Sequence, residues 1–230
     1  MRKPQFSIVV PALNEAEHIG ACLRRIRTSC PDGEIIVVDG GSSDNTVSIA
    51  ASENVIVCHS SPCRGIQCNA GARRASGEIL LFLHADTLLP YHAFRLLRRY
   101  FDDPHVKVGT FRLAFDKHHW MLKFYGLFTR FDSMFTTFGD QCIVVRRSFF
   151  RECGEFPDWP LFEDVRFLQI SRTRTKVHCF PAAVTTSARR FVSNGLIGQQ
   201  VYSAWLFLLF LLGTPPVTLA QKYQHRANST

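Results

Sequence analysis

The sequence lacks the short patterns that mark several well-known classes of protein. It has no C-x-x-C pair, no G-x-G-x-x-G motif after its first predicted strand, and no P-loop. The first absence argues against a metal or redox site built on the eight cysteines. The other two argue against a dinucleotide site and a P-loop phosphate site. Because no internal repeat or low-complexity linker divides the 230 residues, we expect one main domain.

Apolar runs long enough to cross a membrane are also missing. The longest, residues 201–212, ends at Gly213 and is shorter than the roughly 20 residues that a spanning helix needs. We expect it to be either a core helix or a helix lying in the lipid headgroup layer. The apolar run after Lys3 meets Pro11 too early for a signal peptide. These features predict a cytoplasmic protein, with an option of peripheral attachment to the inner face of the membrane.

The net charge is +8, yet the basic residues form no single long run. Finger spacing, a helix-turn-helix pattern and an RNA-binding aromatic signature are all missing, so we predict no nucleic-acid partner. A phosphate-bearing substrate or an anionic membrane surface fits this charge better.

Short apolar runs alternate with helical patterns through the first half of the chain. The predicted strands are 6–10, 35–38, 55–58 and 79–83, and Asn14 is predicted to cap the first helix. Uninterrupted apolar strands joined by helices predict an α/β fold, with a mostly parallel central sheet and helices on both faces.

The second half of the chain has a different pattern of apolar residues. Phe111, Leu113 and Phe115 alternate as in a half-exposed strand, and residues 119–136 form a Phe-rich helical stretch. We predict that this half completes the sheet. The expected organisation is a domain of residues 1–192, followed by an apolar helix and tail in 193–230 that pack on the domain or on a membrane surface.

Polar residues follow three of the predicted strands, at 11–15, 39–44 and 84–86. Ligands of open parallel sheets bind beyond the carboxyl ends of the strands, so we expect a site where these loops meet. An acid at a strand end, such as Asp39, can accept hydrogen bonds from a base or a ribose. Gly40 and Gly41 allow the backbone to turn close to a ligand.

Four motifs occur in order: the segments 7–15, 36–46 and 83–86, and the later Glu163-Asp164 pair. In this order they resemble the family 2 glycosyltransferases, which have the GT-A nucleotide-binding fold. Segments 64–72, 139–141 and 186–190 are similar to a smaller bacterial subgroup, which is associated with radical-SAM proteins and arsenosugar biosynthesis.

The resemblance implies a metal-dependent, inverting transfer of a sugar from a nucleoside-diphosphate sugar to an acceptor hydroxyl. Asp164 would be the general base, and Asp86 would bind Mg²⁺ or Mn²⁺. His84 stands where the family has the first acid of its D-x-D motif, which leaves Asp86 as the only sure metal ligand there. The residues implied in nucleotide binding are Pro11, Glu15, Asp39, Arg64 and Asp86.

A further group is expected on the acceptor side: Asp140, Gln141, Trp159, Glu163, Arg189 and Arg190. Purely structural interpretations remain open for the site residues. Asp39 and Asp86 can cap or close turns, and the 163–164 pair can stabilise a helix N-terminus. Trp159 can belong to the core.

The acceptor is left open between a lipid-linked sugar, a small metabolite and an arsenic-bearing riboside. One alternative function is a nucleotidyltransferase on a related fold, although its Gly-rich, Lys-bearing loop is missing after the first strand. The other is a non-catalytic nucleotide-sugar-binding protein on a membrane, and the presence of Asp86 and Asp164 counts against it.

Overall fold

The computed structural model describes residues 5–189 and 195–227. Within these ranges the strands are β1 (Phe6–Ala12), β2 (Glu34–Asp39), β3 (Ile56–His59), β4 (Ile79–Phe82), β5 (Thr87–Leu88), β6 (Val108–Phe115), β7 (Ile143–Arg146) and β8 (Val177–Thr186). They form one sheet in the order β3-β2-β1-β4-β7-β6-β8-β5.

Helices alternate with the strands along the chain. They are α1 (Ile19–Ser29), α2 (Thr46–Ser52), α3 (Arg64–Arg74), α4 (Ala93–Phe101), α5 (Trp120–Phe128), α6 (Arg147–Glu152), α7 (Glu163–Arg174), α8 (Leu196–Leu211) and α9 (Pro216–Ala227), with a 3₁₀ turn at Gly139–Gln141.

The first half of the sheet is parallel, with β1 paired to both β2 and β4, and β2 paired to β3. These strands carry apolar side chains on both faces because helices cover both. One layer holds α1 and α4, with Leu23 and Phe94 in its core. The other holds α3, α6 and α7, with Phe150 and Phe167 in its core. The predicted α/β sheet with helices on both faces is confirmed.

The second half of the sheet is mixed. Strand β7 runs antiparallel to β4 and β6, β8 runs parallel to β6, and β5 closes the edge antiparallel to β8. The predicted alternation in β6 is confirmed at Phe111 and Leu113, which are buried, whereas Arg112 between them is partly exposed. Helix α5 packs against this strand.

The helix predicted over 119–136 ends early, at Phe128. The next residue, Thr129, is fixed to β6, because its Oγ1 accepts a hydrogen bond from the backbone N–H of Leu113 at 2.9 Å. The chain then turns through Ser133, whose backbone N–H donates to Thr137 Oγ1 at 3.3 Å. A tertiary hydrogen bond thus ends a helix whose sequence would let it continue.

The C-terminal helices pack on the main body through aromatic rings. Phe207 of α8 contacts Phe138 and Phe162, with centroids 5.7 and 5.8 Å apart, and Phe210 contacts Trp159 at 6.1 Å. In the ranges that the structure describes, no helix has the length and apolar character needed to cross a bilayer. The predicted boundary at 192/193 lies outside the described residues.

Helix α3 lies unusually close to β1, and Gly71 makes this approach possible. A Cβ atom at Gly71 would stand 2.3 Å from Val9 Cγ1 and 3.1 Å from Val38 Cγ2. We expect Gly71→Ala to lower the free energy of unfolding by about 1–3 kcal/mol through overpacking, measured by chemical denaturation.

Gly20→Ala in α1 is the matched control. Its nearest new contact would be the flexible end of Arg24 at 3.2 Å, and alanine favours a helix over glycine by up to about 1 kcal/mol. If both variants change the free energy of unfolding by the same amount, the close packing of α3 on β1 is not what excludes a side chain at residue 71.

Candidate active site

A cleft of about 440 Å³ opens at the carboxyl ends of the parallel strands. The loops after β1 and β4 contribute to it, together with the start of α3, the 3₁₀ turn, the first turn of α7 and one side of α9. Six residues that the sequence placed in the site line this cleft: Pro11, Glu15, Arg64, Asp86, Asp140 and Asp164.

Other predicted residues lie around the cleft without lining it. Gln141 is buried, and its Nε2 donates to the carbonyl of Thr136 at 2.5 Å. Trp159 packs on α8 and accepts a hydrogen bond from Gly65 N at 3.3 Å through its carbonyl. Arg190 lies outside the described residues.

Asp39 ends β2 and is bound by its own turn. Its Oδ2 accepts hydrogen bonds from the backbone N–H groups of Gly41 at 2.9 Å and Ser42 at 3.1 Å. Burial acts to raise the pKa of Asp39, but these bonds outweigh it and hold the pKa below its ordinary value. The carboxylate therefore has the turn-capping role that the sequence left open, and only 2% of the residue is exposed.

The loops after β1 and β2 are joined into one unit. Asn14 has a left-handed backbone, with φ of +54°, which asparagine tolerates better than most residues. Its Oδ1 accepts a hydrogen bond from Ser43 N at 2.9 Å, and Glu15 N donates to Thr46 Oγ1 at 2.8 Å. The predicted helix cap at Asn14 is wrong, because α1 begins at Ile19 and Asn14 binds the neighbouring loop instead.

Two amide side chains of α3, for which the sequence predicted no role, hold the segments beside the cleft in place. Gln67 Nε2 donates to the carbonyls of Ala12 at 3.0 Å and Val38 at 2.9 Å, which ties the ends of β1 and β2 together. Asn69 Nδ2 donates to the Phe156 carbonyl at 2.8 Å, while its Oδ1 accepts from Phe156 N. Helical periodicity places residues on a face, but it does not show which distant carbonyls they meet.

Arg189 bridges two carboxylates at the cleft wall. Its guanidinium donates to Glu15 Oε1 and lies 3.3 Å from Asp86 Oδ2. Ser187 N donates to the carbonyl of Asp86 at 3.2 Å, so the end of β8 is fixed beside the loop that carries Asp86. Burial acts to lower the pKa of Arg189, and Glu15 and Asp86 more than offset it. The loops after β1, β4 and β8 thus meet at one ion-pair cluster.

Two further acids lie together on the other side of the cleft. Asp164 Oδ2 accepts a hydrogen bond from the backbone N–H of Gly139. A Cβ at position 139 would stand 2.9 Å from that same oxygen, so a larger residue there would displace the Asp164 carboxylate. The next residue, Asp140, has a buried Oδ1 with no hydrogen-bond partner among the described residues. Burial, reinforced by the charges of Asp164 and Asp86, raises the pKa of Asp140 to about 7, against a smaller opposing effect of Arg64.

Glu163 points away from the cleft into the protein. Its Oε1 lies 3.5 Å from the Arg64 guanidinium, and burial raises its pKa to about 7. The residue before it, Phe162, has φ of +64°, a strained conformation for a large side chain. This turn starts α7 with Glu163 inside and Asp164 at the cleft, so the two acids of the pair have different surroundings.

The residues of this site fall largely within a match to a known family. The model of Glycosyl transferase family 2 matches residues 7–154, which is more than half of the chain. The chain belongs to glycosyltransferase family 2.

Relatives and solved structures agree with this assignment. A PGL/p-HBAD biosynthesis glycosyltransferase of Mycobacterium tuberculosis is 42% identical over 107 residues, which are 43% of this chain and 41% of the relative. The S. aureus TarS 1–349 structure with UDP has a TM-score of 0.67 at 17% identity, over 80% of this chain and 60% of TarS. Mannosyltransferase PcManGT from Pyrobaculum calidifontis, with GDP-Man and Mn²⁺, has a TM-score of 0.63 at 18% identity, over 80% and 57%.

These structural similarities show the fold alone, and they confirm the GT-A expectation. The match covers 41% of the length of the mycobacterial relative, which is less than half, and 60% of the TarS structure.

Few side chains in this family 2 chain could bind a divalent metal ion. In the described ranges, no three His, Cys, Asp or Glu side chains are grouped so that they could hold an ion. Asp86 offers a carboxylate at the cleft, with its side chain 16% exposed. Mg²⁺ is often bound by one or two carboxylates, with phosphate oxygens and waters completing its shell. The site fits an ion shared with a diphosphate and does not fit an ion held by protein ligands alone.

The buried acids make stability depend on pH. Because the folded-state pKa of Asp140 is raised above its unfolded value, the folded state binds more protons between about pH 4 and 7, and stability falls as pH rises through this window. We expect Asp140→Asn to flatten this fall, measured by urea denaturation at several pH values between 4 and 8. The exposed Asp102→Asn is the control and should leave the slope unchanged. An equally steep fall in Asp140→Asn would show that Asp140 is not the titrating group.

Proposed function

We propose that this family 2 enzyme transfers a sugar from a nucleoside-diphosphate sugar to an acceptor hydroxyl in a single inverting displacement. The observation that carries the proposal is the arrangement of charge across one cleft. Arg64 of α3, the Arg189–Asp86 ion pair and the carboxylates of Asp140 and Asp164 meet at this cleft. A leaving diphosphate and an attacking hydroxyl require these two kinds of group on opposite sides of the anomeric carbon.

Asp164 is the proposed general base. It lines the cleft in the first turn of α7, and the hydrogen bond from Gly139 N fixes its carboxylate while one oxygen remains available. Asp140 is the second candidate, because a pKa of about 7 suits a base that works at neutral pH. In either assignment the proton of the acceptor hydroxyl passes to this carboxylate pair as the oxygen attacks.

Two arginines are proposed to receive the diphosphate. Arg189 shares its guanidinium between Glu15 and Asp86, so a diphosphate can take over one of these ion pairs without leaving the arginine unpaired. The buried Glu163 forms an ion pair with Arg64 on the side away from the cleft, and this contact fixes the orientation of the arginine side chain. A Mg²⁺ or Mn²⁺ ion bound through Asp86 would offset the charge that develops on the departing diphosphate.

The donor is proposed by analogy with the neighbouring structures. TarS was solved with UDP, and PcManGT with GDP-Man and Mn²⁺, so a uridine or guanosine diphosphate sugar and a divalent metal are the proposed ligands. Pro11 and Glu15 frame the nucleoside side of the cleft. The narrower resemblance to the arsenosugar-associated subgroup stays a proposal, and it keeps a small riboside among the acceptors.

A reducing, cytoplasmic compartment is part of the proposal. All eight cysteines lie in the described part of the chain, and all are free thiols. Cysteine-rich chains in oxidising compartments form disulfides instead.

The base is tested by isosteric substitution. We expect Asp164→Asn to lower kcat by about 10²–10⁴-fold while donor affinity stays near that of the wild type, because only proton transfer is removed. The donor is first selected by a thermal-shift screen of UDP- and GDP-sugars with Mn²⁺. Turnover is then followed as release of the nucleoside diphosphate in the presence of lipid and soluble cell extracts.

Asp140→Asn is the matched comparison for this test. If Asp140→Asn loses turnover while Asp164→Asn keeps it, the base is Asp140. Normal turnover in both variants would contradict base catalysis by the carboxylate pair.

Metal-dependent nucleotide binding is tested at Asp86. We expect Asp86→Asn to weaken binding of UDP or GDP at least about tenfold when Mn²⁺ is present, because a metal carboxylate ligand is lost. In EDTA the wild type and the variant should bind the nucleotide alike. Isothermal titration calorimetry measures both conditions, and equal affinities with Mn²⁺ would remove Asp86 from the metal site.

A further inference from the structure

An exposed apolar strip runs along α5 and the segment after it. Trp120, Phe124, Leu127 and Phe128 lie on α5, and Phe131 follows at the spacing of one helix face. Trp120 is 72% exposed and Phe131 is 71% exposed. Soluble proteins rarely expose contiguous large apolar patches without a partner.

Helix α8 exposes a second apolar strip. Val201, Trp205, Leu208 and Leu212 follow one another at spacings of four, three and four residues and are all exposed, so they share one face of the helix. The helix contains no charged residue. Its opposite side holds it on the protein, through the contacts of Phe207 with Phe138 and Phe162.

The two helices that carry the strips both lie beside the cleft. On the α5 side, Tyr125 packs on Phe115, a cleft residue, at 6.0 Å between centroids. On the α8 side, Phe138 and Phe162 line the cleft and contact Phe207. Phe135, in the segment after α5, is also exposed, and its ring lies 6.0 Å from that of Phe207 on α8. The elements that carry the two strips therefore border the rim of the site.

Positive charge accompanies this surface. Lys123 and Arg130 are exposed on and just after α5. Lys222 of α9 lies over the Trp205 ring, 5.8 Å from its centroid. The neighbouring acid Asp132 is neutralised by an ion pair with Arg172 at 2.6 Å. Aromatic and aliphatic side chains edged by lysine and arginine have the chemistry of a membrane interface.

We propose that the two strips form one docking surface for an anionic lipid bilayer and turn the mouth of the cleft toward it. The sequence indicated contact through residues 201–212 only, and the α5 segment adds a second, separate element. A second copy of the chain fits less well. In a two-fold interface the same lysines and arginines would face one another and repel. The docking requires no chemical step, so it stands independently of the proposed reaction.

The test is flotation of the whole chain with vesicles of phosphatidylcholine alone and of phosphatidylcholine mixed with phosphatidylglycerol. We expect the wild type to float with the anionic vesicles at low salt and to be partly released by high salt. The double variant Trp120→Glu/Phe131→Glu should bind at least about tenfold less, since each ring loses its burial in the interface. Trp205→Glu should weaken binding through the other strip.

Tyr91→Glu is the matched control. Tyr91 is 66% exposed but lies before α4, stacked under Arg25 of α1 and outside the docking surface. The control should float like the wild type, and all variants should keep the near-UV circular dichroism spectrum and the donor-induced thermal shift. Wild type that stays with the soluble fraction overturns the proposal. So does a double variant that floats normally, a control that loses binding equally, or light scattering that shows a dimer closed over these strips.

Discussion

The site depends on keeping an excess of carboxylates close together at the end of a buried sheet. Glu15, Asp86, Asp140 and Asp164 line one cleft, and two arginines there balance only part of their charge. Both arginines already have partners: Arg189 is shared between Glu15 and Asp86, and Arg64 is paired with Glu163 behind the cleft. The unbalanced charge, together with burial, raises the pKa of Asp140. This raised pKa is consistent with the proposed role of the carboxylate pair as a proton acceptor.

The rest of the fold serves to hold these charges in place. Backbone N–H groups and amide side chains do most of this work, because they add no charge of their own. Gln67 fixes the ends of β1 and β2, and Gly139 fixes Asp164. Their replacement would move the carboxylates by changing the loops, without touching any group that reacts.

Aromatic residues have two separate uses in this chain. Phe150 and Phe167 pack in the core between the sheet and its helices, where their burial stabilises the fold. Trp120, Phe124 and Phe128 of α5 and Trp205 of α8 lie at the surface instead.

The sequence by itself determined the parallel half of the sheet, the covering of both its faces, and two of the loops that line the cleft, 11–15 and 84–86. Uninterrupted apolar runs and polar residues at strand ends are local features of the sequence. The match to family 2 agrees with the motifs found at these strand ends. Motif order also brought Asp164 into the site, although its role remains a proposal.

Features that depend on contacts between residues far apart in the sequence were decided by the tertiary structure alone. The alternation in β6 indicates a strand, but β6 pairs with β7 and β8 from distant parts of the chain, and no alternation pattern records that pairing. Asn14 binds the neighbouring loop instead of capping α1, and α5 ends where Thr129 bonds to β6. Glu163 and Asp164 are adjacent in sequence, yet a strained turn at Phe162 sends one into the core and the other to the cleft. Hydrogen bonds and ion pairs across long sequence separations fix these outcomes, and periodicity carries no information about such contacts.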